Sequence, residues 1–461
     1  MVMTLNLRSK LAFGFGAFGK DLVYMLVSNY ILYYYNAVLG VSSVFIGAVL
    51  MGARIFDAVN DPLMGIIVAK TKTKFGRFRP WILTGTVLNA VTIYALFSAP
   101  AQASGGMLRW WLAIIYIAWG VTYTMMDIPF WSMIPAITNP GAEREQLSSL
   151  ARSCSGIGDA IPMVLTMVIV PILSGSAVIA DYRIGFRYWA LIIAVIFVIS
   201  EIIFVLKVPE KKPAEMESVG VGQMFKALFK NDQAMTAVVA VIMVYLALNI
   251  VGNLILYFFQ FDVGNTGAYS IFVAACFVTQ VIAMLLIPLI RKKVDKMRLF
   301  LYAILIQIFG FAVLLVFAYS NLYHTAGWGI LVIPGVMVYA GYGVLTVMLT
   351  IFLSDTVDYG ELKNGRREES VIFSMQTFTV KLASGIAVFI AGVVIKVVAL
   401  DPQAVSQTVA TLNGLRIFMT IPSAIILVIA LIVFKKFYRL SDQKMEEISE
   451  QLNQGSGTLA R

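Results

Sequence analysis

The chain has 461 residues, of which 60% are hydrophobic and only 13% charged, with a formal net charge of +10. Soluble globular chains hold about 45–50% apolar and about 25% charged residues, so this composition excludes an ordinary soluble domain and points to a polytopic membrane protein. The basic excess sits in short loops between apolar stretches, the pattern that orients helices in a bilayer, and a nucleic-acid-binding surface is excluded with it.

Stretches long enough to cross a hydrocarbon core are read at about 12–38, 43–69, 80–100, 109–137, 150–174, 187–207, 234–261, 268–290, 299–320, 327–353, 370–398 and 414–435, twelve in all. An even number places both termini on one side. Lys70, Lys72, Lys74, Arg77 and Arg79 follow span 2, and Arg291, Lys292, Lys293, Lys296 and Arg298 follow span 8, while loops of opposite parity are nearly bare. Both termini are therefore expected in the cytoplasm. The start is short and polar (Arg8, Lys10), and the apolar segment behind it is too long for the core of a signal peptide, so no cleavable leader is expected. The polar stretch 208–233 divides the spans six and six. The predicted organisation is a helical bundle over 1–207, a cytoplasmic linker over 208–233, a second bundle over 234–435 and a cytoplasmic tail over 436–461. The tail mixes charges with Leu440, Met445, Ile448 and Leu452, which suits a helix on a surface or a solvated tail. An all-α membrane protein of two pseudo-symmetric six-helix bundles is the layout of a major-facilitator transporter, with its substrate site between the halves.

Eight ionisable residues stand out inside these spans: Lys20, Asp21, Arg54, Asp57, Asp61, Asp127, Arg152 and Lys381. Each costs roughly 2.5–3.5 kcal/mol at the centre of a lone membrane helix, so their retention implies a polar cavity with a ligand, an ion or mutual pairing. In span 1, GFGAFGKD (14–21) places small residues for close packing ahead of the adjacent Lys20 and Asp21. It follows no strand, which argues against a phosphate loop. In span 2, ARIFDAVNDPLMG (53–65) sets Arg54, Asp57 and Asp61 on one helix face, with Asn60 at its edge. Two carboxylates one turn apart repel unless a cation or a proton sits between them, so the pair is suited to Na⁺ or H⁺. The alternative is an Arg54–Asp57 pair that merely neutralises charge. In span 4, YTMMDIPFWS (123–132) aligns Thr124, Asp127 and Trp131. An acid with an indole one turn later suits a sugar: the carboxylate takes hydroxyl protons and the ring covers a C–H face. Arg152 opens span 5, either snorkelling, pairing with Asp21 or donating to the ligand. Lys381, deep in span 11, calls for an acid, and those of span 2 are the expected partners. The mixed charges of 139–146 and 355–370 suit ion pairs of an inner gate, or plain solvated loops. Cys154 and Cys276 are expected to be inert packing residues, and His324 a surface residue.

Taken together, GFGAFGKD, ARIFDAVNDPLMG, GRFRPWIL, YTMMDIPFWS, DTVDYGE and QTFTVK resemble the glycoside–pentoside–hexuronide:cation symporter family, in its melibiose-transporting branch, from about residue 8 to 440. The resemblance implies a major-facilitator fold with a sugar site at Lys20, Asp21, Asp127, Trp131 and Arg152, with Tyr123, Gln376 and Thr377 nearby. It implies a cation site at Asp57, Asn60, Asp61 and Thr124, where Na⁺ would meet Asp57, Asp61 and Thr124, with Arg54 and Lys381 balancing charge. The pattern departs at Thr346, which replaces a tryptophan, and at Ser28, which replaces a tyrosine; both reduce aromatic surface around a ligand.

The expected function is import of a glycoside, in particular a galactoside such as melibiose, with Na⁺, Li⁺ or H⁺ across a bacterial cytoplasmic membrane. No cofactor, no catalysis and no nucleic-acid partner are expected; the partners are the sugar, the monovalent cation and membrane lipids, and the chain is read as a monomer. Two rivals are a carrier of an anionic sugar, such as a uronide or sulfonated sugar, and a lipid or lysolipid transporter of the same fold.

Overall fold

A bilayer core offers no water to backbone N–H and C=O groups, so an apolar chain must close those hydrogen bonds internally. The computed structural model, described for residues 5–100, 105–138, 142–176, 178–210, 229–364, 369–404 and 406–459, does so entirely with helices. The long ones are α1 (Leu7–Tyr33), α2 (Ser43–Lys70), α3 (Arg79–Leu96), α4 (Gly105–Ile137), α5 (Ala142–Ser174) and α6 (Tyr182–Lys207). They continue as α7 (Asp232–Phe261), α8 (Thr266–Arg291), α9 (Lys296–Tyr319), α10 (Val332–Asn364), α11 (Glu369–Val397), α12 (Val409–Phe437) and α13 (Asp442–Leu459). Side-chain oxygens just ahead of several helices accept the first free N–H groups: Asn6 from Ser9, Asn231 from Ala234, Asn265 from Ala268 and Asp295 from Arg298.

Among the described residues, ten helices are long and apolar enough to cross a membrane. α2 and α3 match predicted spans 2 and 3 but are not among the ten. Two expected loops prove helical: α10 runs on through Asp355 and Asp358 to Asn364, and α5 begins at Ala142. Residues 139–141, 365–368 and the linker segment 211–228 lie outside the described residues, as do both chain ends.

The chain divides into two compact units, Met1–Ser218 with Asp401–Val405, and Val219–Leu400 with Ser406–Arg461. In the first, α1 is flanked by α5 and α6, and the glycines of GFGAFGKD allow the approach. A methyl group at Gly14 would meet Cys154 Sγ, one at Gly16 the Phe130 and Phe204 rings, and one at Gly19 the Ser200 hydroxyl. Cys154 is thus a packing residue, as is the buried Cys276 against Gly335. The basic loop after α2 has a structural task besides orientation. The backbone N–H groups of Arg77, Phe78 and Arg79 all donate to the Glu210 carboxylate, forming an anion nest at the start of α3. Gly76 turns the chain there at φ +104°, and any side chain would strike that carboxylate.

In the second unit, Arg416 grips Asp262 through Nε and Nη2, both at 2.7 Å, and Tyr323 donates to the same carboxylate at 2.6 Å. Asp262 and Arg416 are each only 6% exposed. Elsewhere in this unit Lys296 ion-pairs with Asp355 at 2.6 Å, and Arg291 reaches Asp442 at 2.9 Å, tying the start of α13 to α8. Leu440 and Ile448 are buried alongside, so the tail helix lies on the protein. His324 is exposed.

Removing one partner of a buried pair leaves an uncompensated charge. Arg416→Ala is expected to destabilise the protein by about 3–5 kcal/mol, seen as a lowered unfolding temperature in detergent; a wild-type midpoint would show the pair to be dispensable. Partial burial pushes the Asp442 carboxyl up, but hydrogen bonds from Arg291 and the Lys296 backbone, with the charge of both residues, hold it below its ordinary value. A depressed carboxyl stabilises the docked form above its unfolded pKa and loses that contribution as the pH falls through the folded value. The tail should therefore stay docked at neutral pH and loosen below about pH 4, read from a spin label at the exposed Gln443. Immobility of the label down to about pH 2 would count against an electrostatic anchor.

Candidate functional site

Helical phase on α1 turns Lys20 and Asp21 inward, 2% and 6% exposed. Although about 100° apart around the helix, the two side chains close on each other, with Lys20 Nζ 2.7 Å from Asp21 Oδ1. The same ammonium lies 2.9 Å from Asp127 Oδ1 of α4, an ion pair without hydrogen-bond alignment. Asp21 also accepts from the Tyr123 hydroxyl at 3.1 Å and from Ser155 Oγ of α5. Both anions thus share one buried cation, and Asp21 is held by three helices. Asp127 keeps 27% of its side chain exposed, which leaves it an open acceptor.

Two cations lie over the ring of Trp131, Lys20 Nζ at 4.7 Å and the Arg152 guanidinium at 4.1 Å from its centre. Arg152 is exposed and rests on the indole, while Asp21 takes Lys20, Tyr123 and Ser155 as its partners. A pyranose stacking on this indole face must therefore move Arg152 or accept hydrogen bonds from it.

The second cluster sits on α2 and the same α4. Arg54 Nη1 is 3.3 Å from Asp57 Oδ2, both side chains buried, so the intrahelical pair raised as an alternative does form. It leaves Asp61 to other partners, among them Thr124 Oγ1, which donates to Oδ1 at 3.0 Å. One turn earlier on α4, Gly120 faces Asp57, its position for a methyl 3.4 Å from Oδ1. Asn60 Nδ2 is enclosed with no hydrogen-bond partner among the described residues. Thr124 and Asp61 thus meet across the two helices, with Asp57 and Asn60 on the same helix as Asp61, and oxygens of this hard type are those a small cation takes. The clusters touch through aromatics: Arg54 lies 5.6 Å from the Tyr24 ring centre, and Tyr24 lies 5.3 Å from Tyr123.

Gln376 and Lys381 belong to α11 in the second unit. Gln376 donates to Thr350 Oγ1 at 3.1 Å, and Lys381 is half-buried. Thr346 turns its hydroxyl to the Gly343 carbonyl at 2.9 Å, and Ser28 Oγ is enclosed in the first unit. The side chain of Thr377 lies outside the described residues. Sequence reasoning passed over Ser155, Asp159, Glu201 and Arg416. Asp159 lies one turn beyond Ser155 on α5, close enough to act on Asp21 and Lys20. The available signal was simple: Asp159 and Glu201 are acids inside predicted spans 5 and 6, and Arg416 a base inside span 12.

A family model described as MFS/sugar transport protein matches residues 12–442. The raffinose carrier protein of Pediococcus pentosaceus is 29% identical over 96% of this chain and 71% of its own length. A putative sulfoquinovose importer of Escherichia coli (strain K12) is 26% identical, over 98% of this chain and 95% of its own. Among solved structures, a D-xylose-proton symporter superposes with a TM-score of 0.67 at 14% identity, covering 94% of this chain and 98% of that one.

If Lys20 is the shared counter-charge, Lys20→Met should cost about 3–5 kcal/mol of stability, because two carboxylates lose their common cation. Adding Asp127→Asn should recover part of the loss. Thermal unfolding of the three proteins in detergent checks this, and a Lys20→Met protein as stable as wild type would rule it out.

Proposed function

The chain belongs to the MFS/sugar transport protein family, an integral membrane transporter and not an enzyme, and on that premise we propose that it couples glycoside import to a monovalent cation by alternating access. The observation that carries this reading is the division of labour on α4. Asp127 leans on Lys20, which also holds Asp21, while Thr124, three residues earlier, bonds to Asp61. One helix thus touches a sugar-type acceptor pair and a cation-type acid pair. Asp21 and Asp127 would take hydroxyl protons from the glycoside, with Lys20, Tyr123, Trp131 and Arg152 around them. Na⁺, Li⁺ or H⁺ would relieve the repulsion of Asp57 and Asp61 with help from Thr124 and Asn60, fixing α4 for the sugar. Linkage then requires the sugar to raise cation affinity by the same factor. A galactoside is the proposed substrate, in keeping with the name of the raffinose carrier. The proposed location is a bacterial cytoplasmic membrane, with both termini inside. Gln376, Thr377 and Lys381 remain proposed contributors from the second unit.

A second reading, an anionic sugar, draws on the name of the putative sulfoquinovose importer and on the exposed Arg152 over Trp131. Asp21, Asp127 and Asp159 outnumber Lys20 and Arg152, which weighs toward a neutral glycoside. A lipid substrate would fit poorly beside so many charges.

Counterflow in proteoliposomes with a galactoside and a sulfonated sugar, with and without Na⁺ at fixed pH, separates the readings. Asp21→Asn and Asp127→Asn should each weaken glycoside binding at least about tenfold, since each removes charged acceptors worth roughly 1.5–3 kcal/mol per hydrogen bond. Asp61→Cys should keep sugar exchange but lose cation stimulation. Wild-type sugar affinity in either asparagine variant, or Na⁺ stimulation surviving in Asp61→Cys, would refute the corresponding site.

A further inference from the structure

Glu201, in the interior of α6, is fully buried, and neither carboxylate oxygen has a hydrogen-bond partner among the described residues. It shares a helix face with Phe197, Ser200 and Phe204, the residues packed onto Gly16 and Gly19 of α1. The acid is thereby pressed into the α1–α6 seam beside the Lys20 cluster. Lys20 and Asp21 from α1 and Asp127 from α4 act on it electrostatically. From α5 comes Asp159, which acts on Asp21 and Lys20. The buried face of α3, by contrast, is Ile82, Gly85, Thr86, Asn89, Ile93 and Leu96 and brings no charge.

An ionised carboxylate without water or a donor is so costly in such a place that the group keeps its proton instead. Lys20 is already committed to Asp21 and Asp127. We propose that Glu201 is a proton-binding site, separate from the α2 acids, whose neutral form leaves Lys20 to Asp21 and Asp127. The step involves one proton. The Glu201 O–H bond breaks, its electron pair stays on the carboxylate oxygen, and the proton leaves to water, which reaches the cluster at the exposed edge of Asp127. The new carboxylate then competes for Lys20, and the sugar acceptors lose their shared cation. Glycoside affinity becomes pH-dependent through a residue that need not touch the sugar. This last consequence rests on the reading of Asp21 and Asp127 as sugar ligands; the proton site itself does not.

Infrared difference spectroscopy of wild type against Glu201→Gln in lipid tests the site directly. A carboxylic-acid C=O band should be present in wild type at neutral pH, absent in the variant, and lost from wild type on alkalinisation. Glu201→Asp should shift that band and serves if the glutamine variant does not accumulate. A difference confined to carboxylate bands would overturn the proposal. Galactoside titration across the same pH range tests the consequence. Wild-type affinity should fall about tenfold or more, the value of one charge-assisted hydrogen bond, and Glu201→Gln should stay flat. A variant retaining the wild-type profile would overturn the link to sugar binding. If no galactoside binds to wild type while the infrared band behaves as expected, the sugar reading fails and the proton site stands.

Discussion

One ammonium group organises the first unit. Lys20 sits where water cannot solvate it, so its charge must be met by protein atoms, and Asp21 and Asp127 do so from α1 and α4. That requirement sets the rotation of both helices. It also places Tyr123 and Ser155, each donating to Asp21, and so brings α5 into the same constraint. A buried ion pair adds little net stability compared with an apolar core, yet breaking one is expensive. The cluster therefore does more to fix geometry than to add stability: an arrangement of these helices that left one of the charges unmet would be costly.

The same logic ties the two clusters together. Tyr123, Thr124 and Asp127 lie within little more than a turn of α4, yet they face different neighbours. A small rotation of α4 would lengthen the Thr124–Asp61 bond and the Asp127–Lys20 contact together. Tyr24 adds a second physical connection, packed between Arg54 and Tyr123. Spatial continuity of this kind is a route for coupling rather than a measurement of it.

Much of this was legible beforehand because the relevant signals are local. Apolar length gave the helices, and spacing by turns put Arg54 and Asp57 on one face of α2. What escaped depended on neighbours distant in the chain. Glu201 sits in VISEIIF and Asp159 in GIGDAIP, each a lone acid with no charged residue within four positions, so neither formed a charged pattern. The grip of Glu210 on the backbone of Arg77 to Arg79 has no side-chain signature at all, since its donors are N–H groups. Asp355 and Asp358 looked like loop residues because mixed charge reads as solvated. In the fold they ride on an extension of α10, where Lys296 from α9 meets Asp355. Arg152 shows a different limit. Its position was clear, but whether it pairs with a carboxylate or lies on an indole is a choice among several rotamers, and only packing makes it.

The glycine face of α1 has a mechanical consequence. Gly16 and Gly19 bring the helix backbone directly against Phe204 and Ser200 of α6. Sliding α1 by one residue would bring Ala17 and Lys20 to those points, where there is no room for either. The two helices are therefore indexed like a key in its slot, unable to shear past one another by small increments. Whatever movement opens and closes a path for cargo, α1 and α6 must travel through it as a single strut, with the flexing taken up at other joints of the unit.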